Sequence, residues 1–406
     1  MTEHLCCRIG KVLCALLLAA TPAAGMARQQ SSRAAAEPGL RMDYNRLWDY
    51  NLYEGSRLGL GASLTLAPQA TPFGRLTVDA YGGYGIRDRQ WKYGLLAEGR
   101  LRRGGALTSV YLGGLHDYFS VGSRRIADPA ASGSQLLGSF MARRMTVQDR
   151  LVAGARGSWG VVGWLAEAAL GRRAPLFDDG QMLYIRYGDT LSRQPFASLK
   201  VAVRHGNGLM AQAEWIQPLG LGSPSLRLLA GYVGSRSLGL FDATLSLLAG
   251  ATPESTPYID LFDLGGVAGA PLYIGQSLAT AGINEFTANA FAQAGVVVRL
   301  SRPLYRVYSS LFSVGSNPRP FLSLKAMWGT LWEADADGLA VIDGVHVQAP
   351  LKGYAEAVAG IDGVVRWGVV DFGAALAARL VPSSAVYHTD GLRANLFPLF
   401  TASLLL

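Results

Sequence analysis

Cysteine is confined to the first fourteen residues of the chain, at Cys6, Cys7 and Cys14. That stretch has the layout of a secretory signal: Arg8 and Lys11 precede an apolar run from Val12 to Ala20, and small residues follow at Ala23, Ala24, Gly25 and Ala27. Cleavage near Ala27 leaves an exported chain with no cysteine, which excludes a disulfide scaffold and a thiolate metal site. The apolar run falls well short of the roughly 20 residues that a spanning helix needs. Cys14 follows Leu13, where a lipidation signal requires a small residue. Beyond the signal there is no uninterrupted apolar run of about 18 residues, so an α-helical membrane protein is excluded as well.

Charge is also scarce. Only 16% of residues are Asp, Glu, Lys or Arg, 50% are hydrophobic, and the mean hydropathy is +0.20. Such a chain is too apolar for disorder and too weakly charged for an ordinary soluble surface. Loss of residues 1 to 27 removes Arg8, Lys11 and Glu3 and lowers the formal charge of +8 by one. A mildly basic exported protein of this kind suits anionic lipids or polyanions, or simply carries scattered solvated arginines.

Catalytic patterns are missing too. Gly157-Ser158-Trp159-Gly160 has the wrong spacing for a nucleophile elbow, and His116, His205, His346 and His388 form no HExxH or clustered ligand set. Gly59 and Gly61 are a fragment of a nucleotide-loop pattern inside a strand. Asp335-Ala336-Asp337-Gly338 lacks the bidentate Glu of a calcium loop. Asp362 reads as a turn carboxylate. His116-Asp117 resembles a base with its orienting acid, but no nucleophile falls beside it. No enzymatic activity, cofactor or metal is expected.

What the sequence does contain is a period of two. Leu76, Val78, Ala80, Gly82, Tyr84 and Ile86 alternate with Arg75, Thr77, Asp79 and Tyr81; after Arg87-Asp88-Arg89-Gln90 the pattern resumes in Trp91, Tyr93, Leu95 and Ala97. Both segments read as β-strands around a tight turn. Ala197, Leu199, Val201 and Val203 alternate with Ser198, Lys200 and Arg204, and after His205-Gly206-Asn207-Gly208 come Leu209, Ala211, Ala213 and Trp215 against Gln212 and Glu214. Fifteen strands are expected, near 55–66, 73–86, 90–103, 107–117, 149–158, 161–172, 195–205, 208–217, 223–234, 239–250, 285–300, 319–331, 353–362, 364–380 and 393–405. Bacterial barrels have an even number, so either one further strand is expected, with 135–146 the candidate, or one of the fifteen is two halves of a bent strand. Longer connections fall at 118–148, 173–194, 251–284 and 332–352.

Segments of this length, aromatics near their ends and full charges on one parity predict an all-β transmembrane antiparallel β-barrel of about 14–16 strands rather than a soluble sandwich or propeller. The chain divides into a signal peptide (1–27), a flexible leader (28–42) and the barrel (43–406). Lumen-facing candidates are Asp79, Lys92, Glu98, Arg100, Lys200, Arg204, Glu214, Arg227 and Lys325. They read either as a structural network or as a basic-biased lining for anionic solutes. Membrane-interface candidates are Tyr84, Trp91, Tyr93, Trp215 and Trp328.

The runs EGSRLGLG (54–61), YGGYGIRDRQWKYG (81–94), LHDY (115–118), GINEFTANAFAQAGVVVRL (282–300) and GYAEAVAGIDGVV (353–365) together resemble a family of uncharacterised outer-membrane barrels. Members often follow a carboxypeptidase-regulatory-like domain, which is not expected in this sequence, and are similar to the bacterial surface antigen superfamily, whose barrels assemble or translocate other proteins. The resemblance spans about residues 43 to 380. It implies a non-enzymatic barrel in the outer membrane of a Gram-negative-type bacterium, in envelope transport or outer-membrane biogenesis. Its partners would be outer-membrane lipid, lipopolysaccharide and the insertion machinery, with no nucleic acid. A passive porin and a barrel-embedded hydrolase are the alternatives. The 251–284 connection, with its apolar runs Ile259 to Phe262 and Leu272 to Ile274, is expected to fold inward.

Overall fold

The computed structural model describes residues 38–43, 47–51, 54–69, 71–102, 105–120, 122, 124, 126–127, 129, 145–176, 194–220, 222–264, 286–309, 314–335, 339–342, 345–348, 353–367, 370–381 and 396–404. The signal segment and all three cysteines lie outside them, as does the 135–146 candidate up to Arg144. The described residues contain no helix long and apolar enough to cross a membrane.

The chain begins with β1 (Gly39–Asp43) and β2 (Trp48–Asn51), followed by β3 (Gly55–Leu66), β4 (Phe73–Gly85), β5 (Trp91–Leu101), β6 (Leu107–Ser120), β7 (Met145–Trp159) and β8 (Val162–Leu176). Next come β9 (Gln194–His205), β10 (Leu209–Pro218), β11 (Ser225–Leu238), β12 (Phe241–Ala251), the short pair β13 (Phe262–Leu264) and β14 (Phe286–Ala288), and β15 (Ala290–Leu300). The rest is β16 (Val307–Ser309), β17 (Val314–Ser316), β18 (Arg319–Thr330), β19 (Leu339–Ile342), β20 (Val345–Gln348), β21 (Tyr354–Trp367), β22 (Val370–Val381) and β23 (Leu396–Leu404). Consecutive long strands pair antiparallel in one large sheet. Among the described residues no pairing joins β1 or β2 to β23.

The fifteen expected strands correspond to fifteen long strands of the sheet. Of the 135–146 candidate only Met145 and Thr146 are described, within β7, and the described residues add another strand to the sheet. It is the interrupted strand β1–β2, both halves of which pair with β3, with Asp43 opposite Gly61 and Trp48 opposite Leu58. Gly39 to Met42, read as leader, already belong to it. The other difference is at the turn expected at residue 363. Gly363 lies inside β21 at φ +68°, beside a register shift between Ile361 and Val365, so it forms a bulge, and β21 continues to Trp367, which pairs with Val370 of β22.

Strand alternation places the connections at two ends. The long ones, 121–144, 177–193, 252–289, 331–353 and 382–395, all leave from one end, the loop end. The opposite, turn end has 160–161, 206–208, 239–240 and 368–369, and its one long connection, 301–318, is taken up by the β16–β17 hairpin. The β1 strand starts and β23 finishes at the turn end.

The two faces of the sheet differ as a period of two requires. One presents Leu58, Leu60, Leu95, Leu112, Leu151, Leu170, Leu199, Val201, Leu226, Leu245, Leu322 and Leu324 to the exterior, all exposed. The other carries the buried charges Arg57, Lys92, Asp117, Arg156, Glu167 and Glu356. A face of exposed leucines over a charged, buried one inverts the arrangement of a water-soluble domain. It is the arrangement of a barrel wall in lipid.

Candidate functional site

The buried face is organised in rungs. Glu167, Lys200, Glu214 and Arg227 are successive register partners on β8, β9, β10 and β11, so charge alternates around the wall. Lys200 Nζ lies 3.1 Å from Glu167 Oε1 and 3.9 Å from Glu214 Oε1, and Arg227 Nη1 lies 3.4 Å from Glu214 Oε2. On the other side of Glu167, Arg150 donates to Oε1 and the Tyr111 hydroxyl donates to Oε2 at 3.0 Å. Arg156 pairs with Glu98 and donates from Nε to Ser109 Oγ at 2.7 Å. Opposite charges on neighbouring strands contribute about 0.2–1 kcal/mol per pair.

A second cluster closes the loop end of β3 to β6. Arg57 donates to both Asp117 oxygens, at 3.2 and 2.5 Å, and from Nε to Glu54 Oε2 at 2.9 Å. Asp117 also accepts from the Tyr81 hydroxyl at 2.6 Å. Lys92 donates to Asp88 at 2.8 Å and its Nζ sits 4.3 Å from the centre of the Tyr118 ring, whose hydroxyl donates to Asp88. Burial pushes the Glu54 carboxyl above its ordinary range, and Arg57 only partly offsets this. Burial also acts on Asp88, but hydrogen bonds from Lys92 and Tyr118 outweigh it and hold that group below its ordinary value. Glu54 and Arg57 come from EGSR, Asp88 and Lys92 from IRDRQWK, and Asp117 and Tyr118 from LHDY. Three segments far apart in sequence thus form one ion cluster.

The interior between these groups is filled by chain from two loop-end connections. From 252–289, Asp260 takes a bidentate pair with Arg173 at 2.6 and 2.9 Å and accepts from Ser225 at 3.0 Å. Phe262, Leu264 and Ala288, completely buried, pack with Met210, Leu229, Leu248, Phe291, Met327 and Tyr354 of the wall. Arg227 lies over the Phe262 ring, 5.0 Å from its centre. The expected inward fold of this connection is therefore observed for residues 252–264 and 286–289; its second apolar run, Leu272 to Ile274, lies outside the described residues. From 121–144, Gly122 accepts a backbone hydrogen bond from Asp263 at 3.0 Å, Arg124 donates to Gln293 at 2.5 Å, and Ile126 joins the same apolar cluster. Ala127 N–H donates to Gln212 at 2.8 Å, and Pro129 reaches Gly163, near the turn end. Gly122, Arg124, Ile126, Ala127 and Pro129 are thus placed down the interior from one end towards the other. Burial lowers Arg124 to about 10, against the attraction of Asp263.

The residues singled out from sequence fall as follows. Lys92 is completely buried in the loop-end cluster; Glu98, Lys200, Glu214 and Arg227 stand in the rungs; Lys325 faces Glu356 at 3.7 Å. Asp79 is on the same parity, half-buried. Arg100 and Arg204 share that parity but lie exposed near the turn end. Tyr84, Trp91, Tyr93, Trp215 and Trp328 are all on the outward parity near the loop end, with Tyr84 and Trp91 5.3 Å apart. Sequence reasoning passed over Glu54, Arg57, Glu167, Arg173, Asp260 and Glu356, although the strand members keep the inward parity. It also passed over Trp159 and Trp164, stacked 5.4 Å apart at the turn end. His116 and Asp117 do not form a pair: Asp117 points into the cluster, while His116 is outward, with Nδ1 2.5 Å from Asp149. Asp362 is no turn residue but pairs with Arg299 at 2.7 Å from within β21. Among the described residues no group of three His, Cys, Asp or Glu is placed to hold a metal.

No family model matches the chain, and no curated protein does. Among solved structures it is similar to BamA from Haemophilus ducreyi lacking POTRA domains 1–3, with 12% identity, a TM-score of 0.50, and 93% of this chain and 78% of that chain covered. CdiB from Escherichia coli also has 12% identity, with a TM-score of 0.46 over 86% of this chain and 59% of that one. For OccK10 from Pseudomonas aeruginosa the values are 12%, 0.39, 89% and 94%. The first likeness carries the fold: the chain has the architecture of an outer-membrane β-barrel.

Proposed function

We propose that the chain is an integral, non-enzymatic barrel of the Gram-negative-type outer membrane, related in kind to the surface-antigen barrels. It would act in envelope transport or outer-membrane biogenesis, with its conduit closed at rest by its own loops. The observation that carries this reading is the occupied interior. A passive porin needs a standing aqueous path, whereas here Phe262, Leu264 and Ile126 sit in an apolar cluster with wall residues of β10 to β21, and Asp260 is tied to Arg173. The rungs then serve chiefly to hold the wall and dock the loops. Export through the signal segment and insertion by the outer-membrane machinery follow from the same reading.

The test is conductance in planar bilayers. The intact protein should give small or irregular currents. Asp260→Ala, which removes the bidentate anchor of the 252–289 connection, should raise them to a larger and steadier value. Large stable channels from the intact protein would favour the porin instead, and a basic lining would then appear as anion preference that weakens with salt. Recovery of the protein in the soluble periplasm, with no gel shift between boiled and unboiled samples, would defeat both.

A further inference from the structure

On the outer wall near the loop end, one polar row stands above apolar residues. Tyr93, His116, Asp149 and Arg172 are successive register partners on β5, β6, β7 and β8. The next outward positions towards the turn end include Leu95, Leu151 and Leu170, all more than half exposed. In the other direction the outward-parity Val147 and Ala174 are buried in a cluster with Tyr118 and Met145. The row therefore lies at a ledge, where a covered wall gives way to a bare apolar one.

The row's internal contacts leave its cation facing out. His116 Nδ1 lies 2.5 Å from Asp149 Oδ1, and its ring packs against Tyr93 with centres 5.4 Å apart. Arg172 is exposed, and no ion pair of Arg172 is found among the described residues. In hydrocarbon an arginine on the lipid face costs about 2–4 kcal/mol at mid-depth and close to nothing at the interface. The row must then stand at headgroup level, where Trp91 and Tyr93 also belong. A guanidinium held there meets phosphate, which it binds through two parallel hydrogen bonds. Four strands at a spacing of about 4.8 Å make the row roughly 14 Å wide. Beneath it Leu95, Leu112, Leu151 and Leu170 give an apolar footing of matching width.

We propose that this ledge is a binding site for a phosphorylated, multi-chain glycolipid of the leaflet at the loop end, with Arg172 on the phosphate, His116 and Tyr93 beside it, and the acyl chains on the leucines below. The inference rests on the outer-membrane reading above.

The full-length protein is inserted into phosphatidylcholine nanodiscs doped with either diphosphorylated lipid A or its dephosphorylated form, and retained glycolipid is counted by native mass spectrometry after transfer to detergent. Wild-type protein should retain the phosphorylated form in preference. Arg172→Ala should reduce that retention about fivefold, the worth of one cation near an anionic surface, while Arg172→Lys keeps most of it. Arg236→Ala, an outward arginine near the turn end, should leave it unchanged. Unboiled gel mobility checks that each variant is folded. Equal retention of both lipids, or an Arg172→Ala variant that is folded and retains as wild type does, overturns the site while leaving the barrel reading intact. Failure of the wild type to insert overturns both.

Discussion

The hydroxyl of Tyr111 reaches Glu167 at 3.0 Å although β7 lies between their strands. It does so by passing over Gly154, the residue directly between them in the register, where a Cβ would stand 2.3 Å from the Tyr111 ring. The same arrangement recurs two strands along the sheet. Tyr81 on β4 crosses Gly94 on β5, where a Cβ would again stand 2.3 Å from its ring, to donate to Asp117 on β6. A tyrosine laid over a cross-strand glycine covers backbone that would otherwise be bare and delivers a donor to a carboxylate two strands off. Part of the chain's large glycine content thus follows from the inner network.

Gly154→Ala should therefore displace Tyr111 from Glu167 and destabilise the barrel by about 1–3 kcal/mol, the usual range for overpacking. Gly82→Ala is the control, because a Cβ there has nothing within 4 Å, and its effect should stay within about 0.5 kcal/mol. Denaturant titration in lipid reads both. Equal costs would mean that Gly154 is not required for the tyrosine to cross.

The assignment of faces is tested on adjacent residues of β9. Val201 is exposed on the outer wall, whereas Lys200 stands between Glu167 and Glu214. Val201→Arg should cost about 2–4 kcal/mol near the strand centre. Lys200→Gln keeps a donor for Glu167, and Arg150 and Arg227 still face the two acids, so about 1 kcal/mol is expected. The reverse order in the same titration would invert the faces.

The sheet was readable because a barrel wall imposes one rule over its whole length: apolar towards lipid, anything else inward. Strand β3 falls at 55–66 from alternation alone, as observed. The interrupted first strand was not readable, since Gly39–Asp43 holds only two apolar positions, Leu40 and Met42, too few to show a period. The partners of the inner charges were also hidden, because alternation gives a residue's face but not the register of strands thirty or sixty residues away. Arg57 finds Asp117 only after two intervening strands have paired. For the loops inside, the apolar content of Ile259 to Phe262 pointed inward, whereas Gly122 to Pro129 offers one Ile among arginines and small residues and carried no such signal.

Gly363 and Arg89 make a contrasting pair. Gly363 sits at φ +68° in the β21 bulge, with a would-be Cβ 2.7 Å from Asn317 Oδ1 and 2.8 Å from the Asn317 carbonyl oxygen. Gly363→Ala adds both backbone strain and a clash, and should cost about 1–3 kcal/mol. Arg89 is the one described non-glycine residue at positive φ, at 55°, in the turn that carries Asp88. Relief of that strain in Arg89→Gly should stabilise the protein by up to about 1 kcal/mol. Thermal unfolding in detergent followed by the mobility shift on gels would reveal both signs, and a destabilised Arg89→Gly would show that its side chain contributes more than its backbone costs.

The loop-end cluster predicts a pH dependence with two opposite limbs. Glu54 is raised above its ordinary 4.5, so its contribution to stability is present in full below that value and is lost as the pH rises through the folded-state value. Asp88 is lowered below its ordinary 3.8, so its contribution is present above that value and is lost as the pH falls through the folded-state value. Glu54→Gln carries the neutral form permanently. It should therefore gain on the wild type as the pH is raised from 4.5 towards neutrality. Asp88→Asn should be less stable than the wild type at neutral pH, and that deficit should shrink as acid protonates the wild-type carboxylate. Unfolding curves of the three proteins in detergent across pH 3 to 8 separate the limbs. A Glu54→Gln curve parallel to the wild type throughout would mean that burial beside Arg57 and Asp117 leaves the Glu54 proton affinity as it is in the unfolded chain.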